Sequence, residues 1–113
     1  PGGMPGTLNL ERSAKVNAFV DYAYENQKLV CAICAAPSIL GHKGMLKGKK
    51  AVCFPGFESE LEGAELSDSF VVTDGNIITA KGMGSAVKFG IAIGAAFVGE
   101  AKMKKIEESL QCS

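Results

Sequence analysis

The residues best suited to chemistry lie in one octet, Val30-Cys31-Ala32-Ile33-Cys34-Ala35-Ala36-Pro37. Cys34 stands where an apolar run of strand length, residues 29–33, gives way to a helix with Pro37 in its first turn. Backbone N–H groups at the start of a helix have no intrahelical acceptor and point the positive ends of their dipoles outward. They favour thiolate over thiol, and the same donors can hold the oxyanion formed when a thiolate attacks a carbonyl. Ala35 and Ala36 are small enough for the sharp turn, a nucleophile elbow, that such a thiol needs. Spacing alone leaves two readings of Cys34 open, a working thiol or an inert buried cysteine.

The other reactive side chains offer less. Cys31 and Cys34 form a Cys-x-x-Cys pair, yet Cys31 falls inside the apolar run. Residues three apart on a strand point to opposite faces, which makes a disulfide between them awkward. Cys31 and Cys53 read as core, and Cys112 as an exposed residue near the tail. His42 is the single histidine and no second paired-ligand motif accompanies it, so no metal site is expected. His42 reads as a surface or packing residue. Gly82-Met83-Gly84 resembles a dinucleotide fingerprint, but Val87 replaces its third small residue and no later strand supplies a ribose-binding acid. No cofactor is expected.

Strands and helices must alternate to place this octet. Residues 10–26 carry an apolar stripe of Leu10, Ala14, Phe19, Val20 and Ala23, which predicts one amphipathic helix. The run at 29–33 lacks alternation, as in a parallel strand covered on both faces. The helix after Cys34 ends near Gly41, and residues 44–48 read as a loop. Residues 51–54 predict a short strand stopped by Pro55-Gly56, and residues 58–62 a helical turn. Residues 70–73 and 77–80 flank Asp74-Gly75-Asn76, a hairpin signal. Residues 85–98 have helical period, with Gly90-x-x-x-Gly94 suited to a helix lying close against a sheet. Gly99 separates this helix from a last one over 100–110, whose charged face of Lys102, Lys104, Lys105, Glu107 and Glu108 reads as solvated. The pattern predicts an α/β layered sheet.

Composition bounds the function. The chain has 113 residues, enough for one small domain, and its 12 basic and 12 acidic residues cancel. A balanced surface gives no electrostatic reason to expect nucleic acid or an anionic membrane as partner. A hydrophobic fraction of 47% fits a packed protein rather than a disordered one. The longest apolar stretch, residues 89–98, falls well short of the roughly 20 residues of a membrane span. Four cysteines among ordinary core residues read as free thiols in a reducing compartment, and no export signal precedes them, so a cytoplasmic location is expected.

Three motifs together carry a resemblance. Pro1-Gly2-Gly3, then Ala32-Ile33-Cys34-Ala35-Ala36-Pro37, then Lys81-Gly82-Met83-Gly84 ahead of a helix are similar to the ThiJ/PfpI superfamily. Within it, the chain resembles the branch containing the Parkinsonism-associated protein deglycase. The resemblance implies a flavodoxin-like layered sheet with helices on both faces, of class I glutamine-amidotransferase type. It implies that Cys34 is an easily oxidised nucleophile, that Gly3 and the Ala35 backbone amide border its pocket, and that Gly2 shapes it. It also implies action on small reactive aldehydes such as methylglyoxal or on their protein adducts, or else a redox-sensing or chaperone role, and a homodimer. Two departures matter. Protease-like members carry a histidine after the cysteine, where this chain has Ala35; deglycase-type relatives often place one on the next strand, where this chain has Phe54. No Cys–His dyad can be drawn, which argues against peptidase activity. Relatives also carry about sixty or more residues before the Pro-Gly-Gly turn, including the strand whose protonated glutamate meets the cysteine. An opening turn with no strand ahead of it predicts that residues 1–113 are one domain lacking its N-terminal portion. Without those strands, the run at 29–33 would present an unpaired apolar edge.

Overall fold

The computed structural model describes residues 1–111. Two helices, α1 (Gly6–Arg12) and α2 (Ala14–Glu25), lead into strand β1 (Val30–Ile33) and helix α3 (Pro37–His42). Strands β2 (Lys50–Ala51), β3 (Glu65–Leu66), β4 (Val71–Asp74) and β5 (Ile77–Ala80) follow, and helices α4 (Ala86–Val98) and α5 (Glu100–Ser109) close the chain.

The single helix expected over 10–26 is two. Ser13 adopts an extended conformation (ψ 118°) that ends α1, and its hydroxyl accepts a hydrogen bond from the Val16 N–H at 3.3 Å to start α2. An apolar stripe cannot register this break, because it passes through both helices without a gap. The strand expected over 51–54 shortens to Lys50–Ala51, and the turn expected over 58–62 is a 3₁₀ turn at Glu58–Glu60. β3 escaped notice because two residues carry no periodicity.

The main sheet has the order β1-β5-β4. β1 runs parallel to β5, with Val30 opposite Ile77 and Ile33 opposite Ala80, and β4 pairs antiparallel with β5 through the expected hairpin. Gly75 occupies the turn at φ +61°, which glycine adopts without penalty. β5 lies between two strands, and all four of its residues are buried. β2 and β3 form a separate parallel pair. The Val52 N–H donates to the Thr79 hydroxyl at 3.0 Å, fastening the segment after β2 to the centre of β5.

The core gathers Val30, Ala32, Leu40, Leu46, Leu61 and Ile77 around the start of α3. The Gly94 contact differs from expectation. A Cβ there would strike the Met103 sulfur of α5, so this glycine admits α5 onto α4, while α4 lies against β5, β4 and β1 as expected. None of the described residues of α4 is buried, although its sequence is almost wholly apolar.

Candidate active site

Cys34 follows β1 directly and sits at φ +67°, in the left-handed region. For a residue with a side chain this conformation costs about 1–2 kcal/mol. Three backbone hydrogen bonds hold it there. The Cys34 N–H donates to the Ala80 carbonyl at 3.0 Å, prolonging the β1–β5 ladder by one residue. The Phe54 N–H donates to the Cys34 carbonyl at 2.8 Å, and the Ala36 N–H donates to the Ile33 carbonyl at 3.2 Å. The chain thus turns sharply between strand and α3, as the small residues Ala35 and Ala36 allow, and the Cys34 side chain stays partly exposed.

Pro1-Gly2-Gly3 packs on this turn. A Cβ on Gly2 would lie 2.7 Å from the Cys34 Cβ, 2.8 Å from the Ile33 oxygen and 2.9 Å from the Ala35 nitrogen, so only glycine fits. Gly3 has φ +85°, and its carbonyl accepts from the Thr7 N–H at 2.8 Å, starting α1. Among the described residues, neither the Gly3 N–H nor the Ala35 N–H donates to a protein acceptor. Two backbone donors on the segments that border Cys34 are therefore without a protein acceptor.

Of the residues singled out from sequence, Gly2, Ala35 and Phe54 meet Cys34 directly, and Gly3 adjoins them. Phe54 contributes its backbone, while its half-exposed ring covers Gly82, whose Cβ would lie 3.2 Å from a ring carbon. Phe54, Pro55, Phe70 and Met83 line an apolar cleft of about 270 Å³ there. His42 lies at the far end of α3, with Nδ1 2.5 Å from Glu11 and Nε2 3.6 Å from Glu60. It is an exposed surface residue, as one of the two readings had it, and its hydrogen bond to Glu11 raises its pKa above the ordinary histidine value. Cys31 is half-buried in β1 and burial raises its pKa. Cys112 lies outside the described residues.

Cys53 is in the core, as expected, but sequence reasoning missed its surroundings. Cys53 is buried one residue before Phe54, and burial, then the charge of Glu58, then Cys34 push its pKa up to about 11. It borders a mixed-charge groove of about 700 Å³ lined by Lys50, Glu58, Glu65, Asp68 and Lys81. Its adjacency to the elbow follows from the Phe54–Cys34 hydrogen bond, which nothing in the local sequence announces.

A cysteine elbow braced by a glycine turn and a second strand can be compared with known proteins. A profile of the DJ-1/PfpI family matches residues 1–96. The chain belongs to this family. It is 31% identical over 112 residues to the Drosophila melanogaster protein dj-1beta, covering 97% of this chain and 60% of that protein. It is 35% identical over 84 residues to a Pyrococcus horikoshii protein named deglycase PH1704, covering 72% of this chain and 49% of that protein. The crystal structure of Drosophila DJ-1beta superposes with a TM-score of 0.91 at 30% identity, over all of this chain and 62% of that one. Oxidised Toxoplasma gondii DJ-1 matches equally well, with a TM-score of 0.91 at 32% identity over 98% of this chain and 61% of that one. The fold is thus the mixed α/β fold of DJ-1 structures over about three fifths of their length. No helix among the described residues is long and apolar enough to cross a membrane.

Proposed function

We propose that the protein is a cofactor-independent, cysteine-dependent glyoxalase or deglycase acting on small reactive aldehydes such as methylglyoxal, or on their early protein adducts. The carrying observation is Cys34 at a left-handed elbow beside the unengaged Gly3 and Ala35 N–H groups. In this reading the Cys34 thiolate adds to the aldehyde carbon and the two N–H groups hold the developing oxyanion. A proton then moves from that carbon to the neighbouring carbonyl carbon through an enediol, giving a thioester of a 2-hydroxy acid. Water hydrolyses the thioester, releasing the acid and the thiol, so the substrate's two carbons exchange oxidation level without an external oxidant. Similarity to the protein named deglycase PH1704 supports this reading. The glutamate that would shuttle the proton belongs, in this account, to a segment ahead of residue 1.

We also infer that residues 1–113 form one domain completed by that segment into a flavodoxin-like sheet with helices on both faces, of class I glutamine-amidotransferase type, and that the protein is a cytoplasmic homodimer. Two observations support completion. β1 pairs only with β5 among the described residues, leaving its other edge open. The chain exposes 6794 Å², whereas a compact monomer of 11.8 kDa exposes roughly 5900 Å². The excess matches an apolar α4 with no buried residue, since a helix apolar all round belongs in an interior.

A second reading, a redox sensor or stress chaperone working through oxidation of Cys34, gains from Phe54, which places an apolar ring where a base would assist turnover. Steady-state turnover of methylglyoxal by the intact protein, beside its Cys34→Ser variant, separates the two. The enzyme reading expects turnover that falls by at least about a thousandfold in the variant, with unchanged circular dichroism. A folded parent with no turnover favours the sensor.

A further inference from the structure

The aldehyde chemistry leaves one nucleophile beside the elbow unused. Cys53 precedes Phe54, whose N–H donates to the Cys34 carbonyl at 2.8 Å. In a peptide the Cα lies roughly 2.4 Å from its own carbonyl oxygen, and from the nitrogen of the next residue, by standard bond lengths and angles. A single hydrogen bond therefore separates the Cys34 and Cys53 Cα atoms by roughly 5–7 Å, inside the approximately 4.4–6.8 Å window of disulfides. The charge of Cys34 also adds to the raised proton affinity of Cys53. All three cysteines among the described residues, 31, 34 and 53, are free thiols.

We propose that Cys53 is the resolving thiol of Cys34, so that a hydroperoxide converts the pair into an intramolecular Cys34–Cys53 disulfide. The inference rests on the reading of Cys34 as an accessible, working thiol, and it holds for either function above. In the first step the Cys34 sulfur attacks the terminal peroxide oxygen. The O–O bond breaks, Cys34 becomes a sulfenic acid, and the peroxide's remaining half leaves as water or an alcohol. In the second step the Cys53 sulfur attacks the Cys34 sulfur, the S–O bond breaks, and the hydroxyl departs with the Cys53 proton as water. The two thiols lose two electrons in total, and the hydroperoxide gains them. The roles follow from burial. Cys53 is 4% exposed and held as the thiol, whereas Cys34 is partly exposed and meets the oxidant first. Cys31 is a poor rival, because β1 holds it in the strand backbone and burial keeps it as the thiol. The disulfide would also pin the elbow shut, removing Cys34 from aldehyde chemistry until a thiol reductant restores it.

The test is peptide mapping of the intact protein after one molar equivalent of hydrogen peroxide, with a Cys31→Ser variant run in parallel. Trypsin leaves Cys31 and Cys34 on one peptide and Cys53 on another, so the predicted product is a cross-linked pair lacking two hydrogens. It should form in the parent and in Cys31→Ser, and dithiothreitol should reverse it. In Cys53→Ala the cross-link should vanish and Cys34 should gain oxygen instead. Oxygen added to Cys34 in the parent with no cross-link would overturn the inference while leaving the working thiol intact. A Cys34 that neither cross-links nor oxidises would overturn both. A cross-link lost in Cys31→Ser would show that Cys53 pairs with Cys31 rather than with Cys34 and overturn the inference.

Discussion

Cys34 keeps a backbone conformation that its side chain disfavours, and the residues that impose it are as informative as the thiol. The Ala80 carbonyl, the Phe54 N–H and the Gly2 Cα bracket the turn. Gly2 is the most sensitive of these, since an added methyl would overlap the Cys34 Cβ, the Ile33 oxygen and the Ala35 nitrogen at once. All three neighbours are backbone or Cβ atoms that cannot swing aside, so Gly2→Ala should cost about 1–3 kcal/mol, in the range of overpacking. The elbow should yield before the core does. Alkylation of Cys34 by iodoacetamide should slow by about tenfold or more while the thermal midpoint falls by only a few degrees. An unchanged alkylation rate would show that Gly2 does not shape the thiol's surroundings. Cys34 itself was legible because a cysteine between an apolar run and a proline-led helix is a local signal. The role of Cys53 was not, because it arises from a hydrogen bond between Cys34 and Phe54, twenty residues apart.

At the scale of elements, β1, the elbow, α3 and the hairpin follow from apolar runs, a proline and an Asp-Gly turn. The break at Ser13 and the strand β3 do not, since one depends on a single capping hydroxyl and the other on two residues. Nor did sequence foresee that His42 would tie α1, α3 and the 3₁₀ turn together through Glu11 and Glu60. His42 has a folded pKa raised above the ordinary value, by the Glu11 hydrogen bond first. Its contribution to stability is therefore fully present below the unfolded value near 6.5 and is lost as pH rises through the higher folded value. The pair is largely solvated, so the contribution is under about 1 kcal/mol. Urea denaturation of the parent should show a slightly greater loss of stability between pH 6 and pH 8.5 than His42→Gln, and the difference should shrink in high salt. Parallel pH profiles for the two proteins would show that the clamp carries no charge.

The whole molecule ranks its thiols by where the fold puts them. Cys34, at the end of a strand, and Cys31, within it, are both partly buried, with burial raising the pKa of Cys31, and Cys53 is buried with a pKa of about 11. Family membership agrees with the motif order along the chain, and the match to DJ-1 structures over about three fifths of their length agrees with an open β1 edge and an apolar α4 that has no buried residue. What sequence patterning could not supply is this ranking, because exposure and proton affinity depend on neighbours distant along the chain. The most direct test of the account is a timed alkylation of the intact native protein at pH 7.5 with substoichiometric iodoacetamide, in a Cys112→Ser background, with each cysteine quantified by peptide mass. Cys34 should be labelled first, at least about tenfold faster than Cys31, and Cys53 last, since about a thousandth or less of a thiol with a pKa near 11 is ionised at that pH. Labelling of Cys31 or Cys53 ahead of Cys34 in the folded protein would contradict the central claim that the elbow cysteine is the working thiol.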